Sequence, residues 1–153
     1  MHVNAREFDS EIFIDEKDKW IFRGNEITLK EVLDHFKQNL FEDEKGVYIY
    51  NTMGNLAEKG YVNLLGFPLH IFNFEQKGNQ SFFYTDSKEI LDVKDLIFYI
   101  NSEERIYCKK YNDSKIKYSL TKSVLGVLTM KLVEIDNAYF FEFNSIRQVL
   151  HFD

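Results

Sequence analysis

The residues best suited to chemistry are gathered in one stretch. Residues 105–122 carry six cations (Arg105, Lys109, Lys110, Lys115, Lys117 and Lys122) against the single carboxylate of Asp113. Tyr107, Tyr111 and Tyr118 interleave with them. Alternate residues of a β-hairpin share a face, so ammonium groups and phenol rings would stand side by side. A phosphorylated ligand or a single-stranded nucleic acid uses such a surface. The same lysines also suit a solvated edge hairpin, where they block pairing with a stray strand. The whole chain of 153 residues holds 25 acidic and 19 basic side chains, a formal charge of −6 that repels polyphosphate. Arg105, Lys109, Lys110, Tyr111, Lys115 and Lys117 are therefore the candidate ligand-binding residues. They point to an anion or a protein partner ahead of nucleic acid.

Other reactive side chains do not assemble in the sequence. His2, His35, His70 and His151 include no pair at i, i+4 on a helix, and none lies within a few residues of a second ligand, so no metal is expected. Cys108, the one cysteine, excludes an internal disulfide and reads as a small buried hydrophobe in an alternating strand. No serine occupies a Gly-x-Ser-x-Gly elbow, and Gly54, Gly60 and Gly66 lack the spacing of a phosphate-cradling loop. Asp15, Glu16 and Asp18, like Glu42, Asp43 and Glu44, fall in turns without calcium-loop spacing. No catalytic residue and no cofactor is expected, and the chain reads as a binding module, not an enzyme. The least favoured alternative is a hydrolase with a carboxylate–histidine site between two lobes, such as Glu58 with His70.

The elements that must position the basic strip follow from composition and periodicity. Fifteen Phe, nine Tyr and one Trp against a single Pro favour a sheet-rich fold without a flexible linker. Apolar runs at 11–14 and 20–23 flank the charged Asp15–Asp18 and predict a hairpin. Thr28 and Glu31 have the spacing of a capping box, ahead of a helical stripe through Leu29, Val32, Leu33, Phe36, Leu40 and Phe41. Strands are expected at 47–50, 61–65, 69–74, 81–85 and 96–100. A hairpin is expected from 105–111 and 115–118, a second helix at 123–133 and a closing strand at 138–143. No apolar run reaches the ~18–20 residues of a membrane span, and no basic-then-apolar leader opens the chain, so a cytoplasmic protein is expected.

The two helices repeat one pattern. Val32, Leu33, Phe36, Leu40 and Phe41 match Val124, Leu125, Leu128, Leu132 and Val133 at a constant offset of 92. An aromatic strand precedes and follows each helix, which predicts a duplicated strand–helix–strand unit. Four stretches then stand in a recognisable order: Trp20 to Ile27; Val47 to Thr52 with Glu58-Lys59; Gly66-Phe67-Pro68-Leu69; and Phe82 to Asp86. Together they resemble the DUF1285 family, bacterial proteins of unknown function, over roughly residues 12–145. The resemblance implies an α+β protein of two fused, sheet-rich lobes, residues 1–65 and 66–153, the second similar to pleckstrin-homology folds. It also implies a binding role in signalling and supplies no catalytic residue.

Overall fold

The computed structural model describes residues 2–153 and has an α+β fold that divides into two compact units, one ending at Pro68 and one spanning Leu69–Asp153. The first unit runs β1 (Arg6–Ile14), β2 (Trp20–Phe22), β3 (Asn25–Glu26), α1 (Lys30–Gln38), β4 (Leu40–Asp43), β5 (Gly46–Met53) and β6 (Leu56–Leu64). Its six-stranded sheet has the order β3-β2-β1-β6-β5-β4, with β1 and β6 parallel at the centre and the other pairs antiparallel.

The expected first hairpin is present, with Ile12 opposite Phe22 and Ile14 opposite Trp20. Asp15 closes it, since its Oδ1 accepts the backbone N–H groups of Lys17 and Lys19 at 2.9 Å each. Alternation along the hairpin sends Ile12, Ile14 and Trp20 into the core. Gly66 follows β6 where only glycine fits: a Cβ there would lie 2.0 Å from the Asp15 carbonyl oxygen.

Three expectations about α1 are corrected. The helix starts after Leu29, whose carbonyl accepts from Val32 and Leu33, so Thr28 is not its cap and no side chain caps it. It ends at Gln38, because Asn39 turns its side-chain amide back onto the His35 carbonyl at 2.7 Å. Leu40 and Phe41 therefore belong to β4, not to the helical stripe.

The second unit runs β7 (Leu69–Lys77), β8 (Gln80–Thr85), β9 (Ile90–Asp92), β10 (Ile97–Ile100), β11 (Ile106–Lys109), β12 (Tyr118–Leu120), α2 (Lys122–Thr129), β13 (Leu132–Ile135), β14 (Ala138–Glu142) and β15 (Arg147–Phe152). Its nine strands take the order β13-β14-β15-β10-β11-β12-β7-β8-β9, with parallel pairs β10/β15 and β12/β7. Buried aromatic rings dominate this core, Phe98 lying 5.3 Å from Phe141 and 6.1 Å from Phe83. The strand expected at 96–100 is β10; a 3-10 turn at Val93–Asp95 separates it from β9. Helix α2 stops at Thr129, so Leu132 and Val133 move from the expected helix into β13. Phe143 ends no closing strand either, for β15 follows and pairs with both β14 and β10.

Candidate functional site

The basic strip lies on β11, β12 and the loop between them, and pairing decides where each side chain goes. Tyr107 faces Tyr99 on β10 and Ser119 on β12; Tyr99 in turn faces His151 on β15, and Ser119 faces His70 on β7. Cross-strand partners share a sheet face, so His151, Tyr99, Tyr107, Ser119 and His70 form one row across five strands. The Tyr99 and Tyr107 rings are stacked, 5.3 Å apart and 12° from parallel. Lys109 Nζ stands 4.9 Å from the Tyr99 centroid, and Lys117 Nζ stands 4.9 Å from that of Tyr107. Arg105 joins them through a 3.2 Å bond from Nη2 to Ser119 Oγ.

Hydrogen bonds fix the row. Tyr107 donates to Asp153 Oδ2 at 2.5 Å, and Tyr99 donates to Asn112 Oδ1 at 2.5 Å. Burial, reinforced by the Asp153 carboxylate, pushes the Tyr107 phenol far above its ordinary range and keeps it a neutral donor. At the far end Asp86 holds His70, accepting its backbone N–H at 2.8 Å and lying 3.3 Å from Nδ1. Lys109 Nζ donates to the Asn112 carbonyl, and neither Lys109 nor Lys117 has an ion-pair partner among the described residues.

The six sequence candidates do not all meet. Arg105, Lys109 and Lys117 share the tyrosine face. Lys110 leaves the strand on the opposite side, ion-paired to Glu89 beside the buried Tyr118 ring. Burial opposes the Glu89 charge, but bonds from Lys110, Ser87 and Tyr118 outweigh it and hold the carboxyl below its ordinary value. Tyr111 and Lys115 project from the exposed loop. Cys108 faces the core, fully buried, and burial pushes its thiol well up, leaving it unreactive. Tyr99, His70 and His151 are additions that no local pattern could reveal, because they arrive through pairings distant in sequence.

The first unit has a polar cluster of its own. Lys59 Nζ and Tyr61 Oη donate to Asp43 Oδ2 at 3.0 and 2.7 Å, while Tyr61 also reaches Glu7 at 3.1 Å and Lys45 reaches Glu7 at 2.6 Å. Partial burial disfavours the Asp43 charge, but the Tyr61 and Lys59 bonds and the Lys45 backbone N–H overcome it and bring the carboxyl to about 2. The cluster ties β1, β4, β6 and the turn between β4 and β5 together. Glu58, on the other side of β6, is taken by Arg6 at 2.8 Å. Among the described residues no group of three or more His, Cys, Asp or Glu is placed to hold a metal ion, and no helix is long and apolar enough to cross a membrane.

The class these features define is a two-unit α+β protein with a cationic, tyrosine-rich sheet face. No protein-family model matches the sequence, and no curated protein matches it. Solved structures do. The chain is similar to the crystal structure of a DUF1285 family protein from Silicibacter pomeroyi DSS-3, with a TM-score of 0.74 at 13% identity over 97% of this chain and 84% of that one. It is also similar to a DUF1285 family protein from Shewanella baltica OS155, with a TM-score of 0.56 at 14% identity over 78% of this chain and 90% of that one. At these identities the likeness is one of fold.

Proposed function

We propose that the protein is a DUF1285-type binding module, without catalysis of its own, whose second unit engages an anionic group on a protein or small ligand in a signalling role. One observation carries this reading: two ammonium groups without ion-pair partners are held over a stacked tyrosine pair on one sheet face. Most lysine charges with a carboxylate in reach are paired, as at Lys30, Lys45, Lys59 and Lys110. Lys109 and Lys117 are instead presented with their stems braced on rings, so an arriving phosphate or carboxylate would meet pre-positioned charge. Membership of the family and a pleckstrin-homology-like second unit belong to the same reading and rest on the likeness of fold.

Internal duplication is the finer part of the proposal. From its β12 end the second unit runs β12-β11-β10-β15-β14-β13, the order and directions of β3-β2-β1-β6-β5-β4. The hairpins after the helices agree in register: Leu40 with Ile49 and Phe41 with Tyr48 become, 92 residues on, Leu132 with Phe141 and Val133 with Phe140. The added strands β7–β9 then give the second unit an extension that the first lacks.

The test is titration with phosphotyrosine and with a single-stranded oligonucleotide at low salt. The double substitution Lys109→Glu, Lys117→Glu is expected to weaken phosphotyrosine binding more than tenfold, while Lys115→Glu leaves it within about twofold, since a rim charge matters little. Equal losses from both variants, or none, would remove the tyrosine face from the argument. Tighter binding of the oligonucleotide, with a steep loss in salt, would replace the anion reading with a nucleic-acid one.

A further inference from the structure

A second site lies in the first unit, under α1. Val32 and Phe36 of the helix face Ile12, Ile49 and Gly60 of the sheet, yet no residue of α1 is fully buried. The helix stands off the sheet and leaves a cavity of about 310 Å³ whose other walls include Phe8, Phe22 and Ile27. The sheet itself makes the room. Register slips between Asp9 and Ile12, so Ser10 and Glu11 bulge from β1, with Glu11 at φ +62°, a left-handed conformation unusual for a glutamate. Just before the bulge Gly60 of β6 pairs with Phe8, and a Cβ on it would lie 3.1 Å from Phe8 Cζ and 3.2 Å from Ser10 Cβ.

The polar atoms around this cavity restrict what it accepts. Ser10 Oγ is spent, donating to the Tyr61 carbonyl at 2.6 Å and accepting from Ile12 N–H at 3.1 Å. Arg6 and Arg23 each lie 4.9 Å from the centroid of a lining ring, Phe8 and Phe22, but both are already neutralised, by Glu58 at 2.8 Å and Glu11 at 2.6 Å. An ionic head would meet a like charge at either pair. Asn51 is the exception: its Oδ1 pairs with His35 Nε2 at 2.7 Å, while its Nδ2 has no partner among the described residues.

We propose that this cavity binds an uncharged, largely apolar small molecule carrying one hydrogen-bond acceptor, with the acceptor on Asn51 Nδ2 and the apolar body between α1 and the sheet. At the ~30 Å³ that a water-sized group occupies, the space holds about ten non-hydrogen atoms. Such a ligand would complete the packing that α1 lacks, which couples occupancy to the helix.

The probe is 2-octanone, followed by calorimetry and by the fluorescence of Trp20, the one tryptophan, whose ring stacks 6.1 Å from that of Phe36 on the cavity wall. Saturable binding is expected, with octanoate and octylammonium weaker by roughly tenfold or more, since neither charge finds a counter-ion. Asn51→Ala is expected to weaken 2-octanone about fivefold, the worth of one hydrogen bond. Val32→Phe, which fills the space, is expected to abolish binding while the protein still unfolds cooperatively. If that variant fails to fold, Gly60→Ala takes its place, narrowing the floor and weakening binding. No saturable binding up to the solubility limit, octanoate binding as tightly as the ketone, or full affinity in the filled variant would each overturn the proposal.

Discussion

Lys59 shows how much depends on which neighbours a charge finds. It is buried on β6, and its ammonium stands 4.9 Å from the Tyr48 ring while bonding Asp43. Because the Asp43 carboxyl falls from 3.8 to about 2 on folding, it stabilises the fold fully above about pH 4, and that contribution is lost as pH drops toward 2. Urea midpoints measured from about pH 5 to pH 2 should fall across that window. In Lys59→Met the midpoint should be lower at pH 5 and the acid fall should shrink, because Asp43 then keeps fewer of the bonds that favour its charge. A slope unchanged by the substitution would mean that Tyr61 and the Lys45 backbone N–H hold the carboxylate without Lys59. None of this was legible in the sequence, where Asp43 reads as a solvated turn residue and Lys59 as half of a family motif. Glu7, Asp43, Lys59 and Tyr61 come from three strands, β1, β4 and β6, and the bond from Tyr61 to Glu7 spans 54 residues.

At the scale of elements, legibility depended on whether one residue sufficed to settle a boundary. The β1/β2 hairpin is readable because two apolar runs flank the charged Asp15–Asp18. The ends of the helices were not, since Leu40, Phe41, Leu132 and Val133 fit an apolar helical stripe and a half-buried strand equally well. Asn39 is the stop signal that separates the helix from β4. Leu150 is the one buried residue of β15, so no alternating pattern marks that strand in the sequence. The basic strip was visible as charge, but its division was not: Lys109 and Lys110 part company because one lies in β11 and the other just past it. The start of α1 carries a prediction. Leu29 is the N-cap, 70% exposed and offering no acceptor to the first turn. Leu29→Asp should supply that acceptor and favour the helix dipole, raising stability by ~0.5–1 kcal/mol with an unchanged denaturant slope. A neutral or lower midpoint would show that Leu29 contributes packing that its exposure does not suggest.

For the molecule as a whole, the decisive question is which residues complete each unit. The sequence places the division after Leu65, where Gly66-Phe67-Pro68 interrupts the strands. The hydrogen bonds assign those three residues to the first unit. Gly66 N–H donates to the Ile14 carbonyl at 3.1 Å, Phe67 N–H donates to Asp18 Oδ1 at 2.8 Å, and Trp20 Nε1 donates to the Pro68 carbonyl at 3.3 Å. Phe67 is also 7% exposed, so its ring is part of that core. A fragment of residues 1–68 is therefore expected to fold with a dispersed amide spectrum and a cooperative urea transition, as is its complement of residues 69–153, because each holds a complete sheet and core. A fragment of residues 1–65 should be weaker by several kcal/mol. It loses about 2 kcal/mol for the buried Phe67 side chain, gives up the bond from the Phe67 N–H to Asp18 Oδ1 and leaves the Trp20 N–H without the Pro68 carbonyl. Comparing the two urea midpoints, with Trp20 fluorescence as the local reporter, measures that difference directly. Equal midpoints would mean that residues 66–68 merely follow the first unit without completing it, and that its core closes on β6.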